Sequence, residues 1–185
     1  MQALVKATAG PGLTLTDWAD PTPGPHDAVV KVAATSLCGT DAHIYRWDEW
    51  AQRRIHPPRI IGHELCGHVV EVGRELSLVK VGDYVAAESH ITCGRCFQCR
   101  TGQAHVCKNY KILGIDRDGS YAQYVALPEG VLWHTAPDIP PELACVQEPL
   151  GNAVDAALAE DLTGQTVLIT GCGPTGLFAA AVART

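Results

Sequence analysis

Apolar positions alternate with polar ones, or cluster, in short runs through most of the chain: ALVKAT from Ala3, AVVKVAA from Ala28, GHVVEVG from Gly67, GDYVAA from Gly82 and YAQYVAL from Tyr121. Turns rich in Gly and Pro separate them, which predicts the strands of a compact barrel or sandwich. At Asn152 the pattern changes. NAVDAALAEDL reads as a helix with Asn152 as its N-cap, and TVLIT from Thr166 reads as a buried strand. The expected fold class is therefore mixed α+β and α/β, with a mainly β unit over residues 1–150 and the start of an α/β unit over 151–185. No internal repeat or low-complexity segment interrupts this order.

Composition narrows the class. The chain has 185 residues, 46% apolar and 18% charged, enough to bury a core. No run approaches the roughly 18 apolar residues of a membrane span. A formal net charge of −6 argues against a nucleic-acid partner, and the expected partner is a small molecule. The N-terminus lacks a basic segment followed by an apolar one, so a cytoplasmic setting with reduced thiols is expected.

Cys93, Cys96, Cys99 and Cys107, spaced by three, three and eight, lie in a loop containing Gly and Arg. Four thiols on a flexible backbone can surround one tetrahedral zinc, and filling all four positions leaves none for substrate, so this reads as a structural site. A disulfide pair or a redox motif is the alternative. A second set is Cys38 with His63 and Glu64, soft, borderline and hard ligands that leave a coordination position open, as a catalytic zinc requires. Thr40 and His43 add a hydroxyl and an imidazole able to pass a proton to solvent; a helix cap and a surface histidine are their alternatives. Glu148 precedes Pro149, a position biased toward an extended turn, where a carboxylate could face the cleft between the two units. Its alternative is a solvated helix-end acid.

The third motif is TVLITGCGPTGLFAAAVA. Gly171 permits a tight turn after the strand, Gly173 a close approach to a pyrophosphate and Gly176 close packing of the helix that Pro174 helps to start. The acidic residue that holds a cofactor ribose normally follows about 20 residues later, beyond Thr185, so the 185-residue chain is expected to be inactive alone.

These motifs in this order resemble the zinc-dependent medium-chain alcohol dehydrogenases, which join a GroES-like catalytic β-barrel to a Rossmann domain. The likeness covers the whole chain and points to the threonine-oxidising branch through CGTDAHIYRWDEWAQRRI, PPRIIGHE, AAESHITCGRC, ILGIDRDGSYAQYV and QEPLGNAV. The resemblance implies catalytic zinc at Cys38, His63 and Glu64, structural zinc at the four clustered cysteines and a proton relay through Thr40, His43 and Glu148. It also implies NAD on Gly171, Gly173, Thr175 and Gly176, with His90 lining the substrate pocket and a homotetramer at full length. The implied reaction is oxidation of the amino acid L-threonine to 2-amino-3-oxobutanoate. A polyol or diol dehydrogenase, and a zinc-stabilised module without catalysis, are the alternatives.

Overall fold

The computed structural model describes residues 1–184. Its strands are β1 (Gln2–Lys6), β2 (Thr14–Asp17), β3 (Asp27–Thr35), β4 (Arg59–Ile60), β5 (Leu65–Val72), β6 (Tyr84–Ala87), β7 (His90–Ile91), β8 (Lys111–Ile112), β9 (Tyr124–Pro128) and β10 (Leu132–His134). The helices are α1 (Gly39–Arg46), α2 (Glu49–Arg54), α3 (Phe97–Arg100), α4 (Pro141–Ala144), α5 (Gln147–Ala157) and α6 (Pro174–Val182). Among the described residues no helix is long and apolar enough to cross a membrane.

The expected strands form and pair antiparallel in a five-stranded sheet of order β10-β6-β5-β3-β9, a three-stranded sheet β2-β1-β4 and the small ribbon β7-β8. The period-2 pattern explains the core. Val30 is opposite Val69 on one side and Val125 on the other, so one apolar row crosses three strands. With Ala28, Leu65, Val85 and Leu127 this row makes a buried cluster. At about 25 cal/mol per Å² of apolar surface removed from water, such rows provide the main driving force for the fold. Two register shifts in the β3–β5 pair bend β3 before it reaches Thr35.

Three local readings differ from the sequence expectation. Asn152 is not an N-cap: α5 begins five residues earlier at Gln147, and Asn152 Nδ2 donates to the carbonyl of Glu148 at 3.3 Å. Pro149 sits in the first turn of α5, where its missing N–H is one that a helix leaves unbonded anyway, so the helix can start ahead of it. Glu148 is accordingly helical, not part of an extended turn. The TVLIT segment forms no strand; Leu168 is 86% exposed. A parallel strand needs a neighbour for its backbone groups and covered faces, and the described residues offer it none.

Candidate functional site

One strand pairing assembles the first group of ligand-type residues. Thr35 at the end of β3 is the register partner of Leu65 at the start of β5. Cys38 follows the first strand end by three residues, and His63 with Glu64 immediately precedes the second. Their sulfur, nitrogen and oxygen atoms lie within 4.8 Å of one another, and His63 and Glu64 are buried. A slip of one residue would turn the set to the opposite face. Gly62 makes the approach possible: its φ is +88°, and a Cβ there would lie 2.3 Å from the Tyr121 ring.

Neighbours hold each ligand. Thr35 Oγ1 and the Ser36 N–H donate to the Glu64 carbonyl at 2.7 and 3.1 Å, and the Ser36 hydroxyl donates to Glu64 Oε2. Cys38 is the N-cap residue of α1, and its N–H donates to Asp41 Oδ2 at 2.9 Å. The Tyr121 hydroxyl donates to the same oxygen at 2.8 Å, while Asp41 Oδ1 is buried without a hydrogen-bond partner among the described residues.

Acidic and thiol groups gather around His63. A hydrogen bond from His63 draws the Cys38 thiol down, against burial. Burial pulls His63 down, yet the Cys38 hydrogen bond and the charges of Asp41, Cys38 and Glu148 outweigh it and push His63 up to about 9. On tetrahedral zinc, such N, O and S ligand atoms stand about 3.3–3.6 Å apart. His63 Nε2 and Glu64 Oε1 are 4.0 Å apart, so a small side-chain adjustment seats one ion on all three and leaves a fourth position free.

Thr40 Oγ1 lies 3.6 Å from Cys38 Sγ, whereas His43 is turned to solvent, its Nδ1 bonded to Asp48 Oδ2 and its ring against Trp50. Thr40 is thus at the ligand set and His43 at the surface side of the same helix. Glu148 stands on α5, which packs on β6, and it feels the charges of His63 and Glu64. It accepts a 2.6 Å hydrogen bond from Ser89, and burial raises its pKa. His90 follows Ser89 and bonds Glu88 through Nδ1 at 2.8 Å. Glu88 and Glu148 line a cleft of about 350 Å³ with Gln147, Trp133 and Gly151, and Glu88 and His90 line its neighbour.

The four clustered cysteines sit in the loop between β7 and β8, a ribbon in which Ile91 pairs with Lys111. Their sulfurs also lie within 4.8 Å of one another. Cys96 Sγ is 3.5 Å from Cys99 Sγ and 3.7 Å from Cys107 Sγ. A disulfide needs about 2.05 Å, and thiolates on one zinc stand about 3.8 Å apart, so the spacing fits the ion. Donors from Arg95, Asn109 and Cys96 pull the Cys93 thiol down to about 6, while burial and the Cys96 and Cys107 thiols push Cys99 up to about 11. A divalent cation removes that mutual repulsion.

The glycine turn keeps its local geometry without the strand. Gly171 has φ +103°, Gly173 is the N-cap residue of α6 and Pro174 is its first residue. A Cβ on Gly176 would lie 2.2 Å from the Gly171 carbonyl oxygen. Thr175, like Gly171 and Gly173, is exposed, and Gly176 is half-buried. Sequence reasoning missed Ser36, Asp41, Tyr121 and Ser89. Only Asp41 had a signal, an acid three residues after the N-cap position; the others join the site through sequence-distant contacts.

Residues 24–138 match the family model described as the alcohol dehydrogenase GroES-like domain. The L-threonine 3-dehydrogenase of Symbiobacterium thermophilum is 58% identical over 184 residues, covering 100% of this chain and 52% of that protein. Among solved structures, galactitol-1-phosphate dehydrogenase from Escherichia coli superposes with a TM-score of 0.90 at 27% identity, over 100% of this chain and 52% of that one. An E. coli short chain alcohol dehydrogenase complexed with NADH gives 0.87 at 30% identity, over 100% and 53%. The chain spans about half the length of the curated relatives it matches. The family match, which covers most of the β-sheets and both groups of ligand-type residues, shows that this chain belongs to the alcohol dehydrogenase GroES-like domain family.

Proposed function

We propose that the chain is the catalytic portion of a zinc-dependent L-threonine 3-dehydrogenase that uses NAD. The observation that carries this reading is the pairing of a closed four-thiol group with an open Cys38–His63–Glu64 group in one chain. The relatives' name supports the substrate, and the NADH complex of a structural neighbour supports the cofactor. In this reading residues 1–150 are the zinc-binding unit, and 151–185 begin a nucleotide-binding unit on Gly171, Gly173, Thr175 and Gly176.

Cys38, His63 and Glu64 would hold a zinc ion, which would supply Lewis acidity toward a bound alcohol, and a nicotinamide cofactor would supply the hydride acceptor. The chain's own residues do the rest. Ser36, Asp41 and Tyr121 fix the ligands, and the flanking cleft orients the substrate beside them. Thr40 and Glu148 are the groups placed to take a proton, with His43 on the solvent side of the Thr40 helix and His90 at the cleft. The four-thiol group ties down the loop 92–110. The relatives' name supports a small-molecule amino-acid substrate, and the proposal includes a cytoplasmic, homotetrameric parent.

The test is the initial rate of NADH formation by the full-length protein carrying this chain, with L-threonine, sorbitol and 2,3-butanediol at equal concentrations. Preference for L-threonine supports the proposal. Preference for another alcohol reassigns the substrate, and no rate with any of them rejects the dehydrogenase reading.

A further inference from the structure

Ser89 is almost completely buried, with 1% of its surface exposed, at the junction of β6 and β7. Its hydroxyl joins three titratable groups. Oγ is 2.6 Å from Glu148 Oε1, 3.0 Å from His90 Nδ1 and 3.5 Å from Glu88 Oε1. His90 Nδ1 is in turn 2.8 Å from Glu88 Oε1. The inner end of this chain, Glu148, lies on the side of His63, whose charge it feels. At the outer end the side chains of Glu88 and His90 are 42% and 44% exposed. We infer that Ser89 is a proton-transferring residue, linking Glu148 to Glu88 and His90 as an exit to solvent separate from Thr40 and His43. This rests on the dehydrogenase reading, which supplies the proton.

The steps balance. The substrate hydroxyl gives its proton to the Glu148 carboxylate. Imidazolium His90 passes its Nδ1 proton to Glu88, which releases it to water, and the Ser89 hydroxyl proton then refills Nδ1 as protonated Glu148 donates to Ser89 Oγ. Glu148, Ser89, His90 and Glu88 end as they began, and one proton has left. Burial raises Glu148, the Glu88 hydrogen bond raises His90, and His90 lowers Glu88 against its burial, so the resting proton of the outer pair sits on His90. His63 and Glu64 are the other charged groups acting on this chain, and the Tyr110 ring lies against His90 at 5.6 Å between centroids.

Two readouts test it. In the full-length protein, Ser89→Ala should lower kcat for alcohol oxidation by about 10- to 100-fold with little change in KM. Ser89→Thr, which keeps the hydroxyl, should retain most of the rate, and imidazole in the buffer should partly restore Ser89→Ala. Glu88→Gln, on the exposed end where folding is little affected, should slow the same step. Independently of turnover, the ¹⁵Nδ1 shift of His90 in the zinc-loaded 185-residue chain should show a second titration step from Glu148, retained in Ser89→Thr and lost in Ser89→Ala. An unchanged rate and pH profile in Ser89→Ala and Glu88→Gln would overturn the relay, as would a slow Ser89→Ala that imidazole does not restore. The absence of a Glu148 step on His90 would also overturn it. Wild-type inactivity on every alcohol would defeat the dehydrogenase reading, leaving the His90 titration to judge the hydrogen-bonded link.

Discussion

At the scale of single residues, the arrangement around Glu64 makes a direct prediction. The Ser36 hydroxyl is bonded to Glu64 Oε2, so Ser36→Ala frees a carboxylate that now points at its fellow ligands. Loss of such an outer contact costs about 10- to 100-fold in metal affinity, measurable by competition with a chromogenic chelator; an unchanged affinity would show that Ser36 does not orient Glu64. A second prediction concerns pH. Arg54 forms two 2.6 Å bonds with Asp116, whose pKa is lowered chiefly by that contact and which also accepts from the Ile112 N–H. A carboxyl depressed in the folded state stabilises the fold above its unfolded pKa, near 3.9, and the contribution fades as pH falls through the lower folded value. Asp116→Asn should therefore destabilise by about 1–2 kcal/mol at pH 7, with the gap to wild type closing below pH 4 in thermal melts. A gap of constant size across pH would remove the charge from the explanation.

At the scale of elements, the site depends on where strands end and on one glycine between them. Gly62→Ala must place a side chain at φ +88° and against the Tyr121 ring, so a loss of about 2–6 kcal/mol is expected from strain and overpacking, read from denaturant unfolding. Wild-type stability in that variant would mean that the turn can relax. The β7–β8 loop makes a separate prediction. Exposed Arg95 and Arg100 lie within it, and removing metal with a chelator should open it to trypsin at these residues while the buried Val30–Val69–Val125 row stays protected. Simultaneous loss of both would show that the loop and the sheets unfold as one unit. The sequence made the strands legible because their alternation faces a single core. It misplaced the start of α5 because Pro149 looks like a breaker, yet the first turn tolerates it. It misread TVLIT because a buried-strand pattern states a need for neighbours, and the described residues do not meet that need.

At the scale of the whole molecule, the two groups of metal-ligand residues arise from different kinds of information. The four cysteines are close in sequence, and their spacing alone identified them. Cys38 and His63 are joined by the β3–β5 register, and Ser89 meets Glu148 through the packing of α5 on β6, relations that a linear reading shows only after the sheet is known. That is why the ligand-type residues were legible as candidates and the hydroxyls beside them were not. The account assigns one closed and one open zinc site to this chain. The most direct measurement is zinc content by mass spectrometry after exhaustive dialysis, for the chain and for Cys38→Ser and Cys96→Ser. The account predicts two zinc ions in the wild-type chain, with Cys38→Ser losing the open-site ion and keeping the other. Cys96→Ser should lose the loop ion. A single ion in the wild-type chain, or two retained in Cys38→Ser, would contradict it.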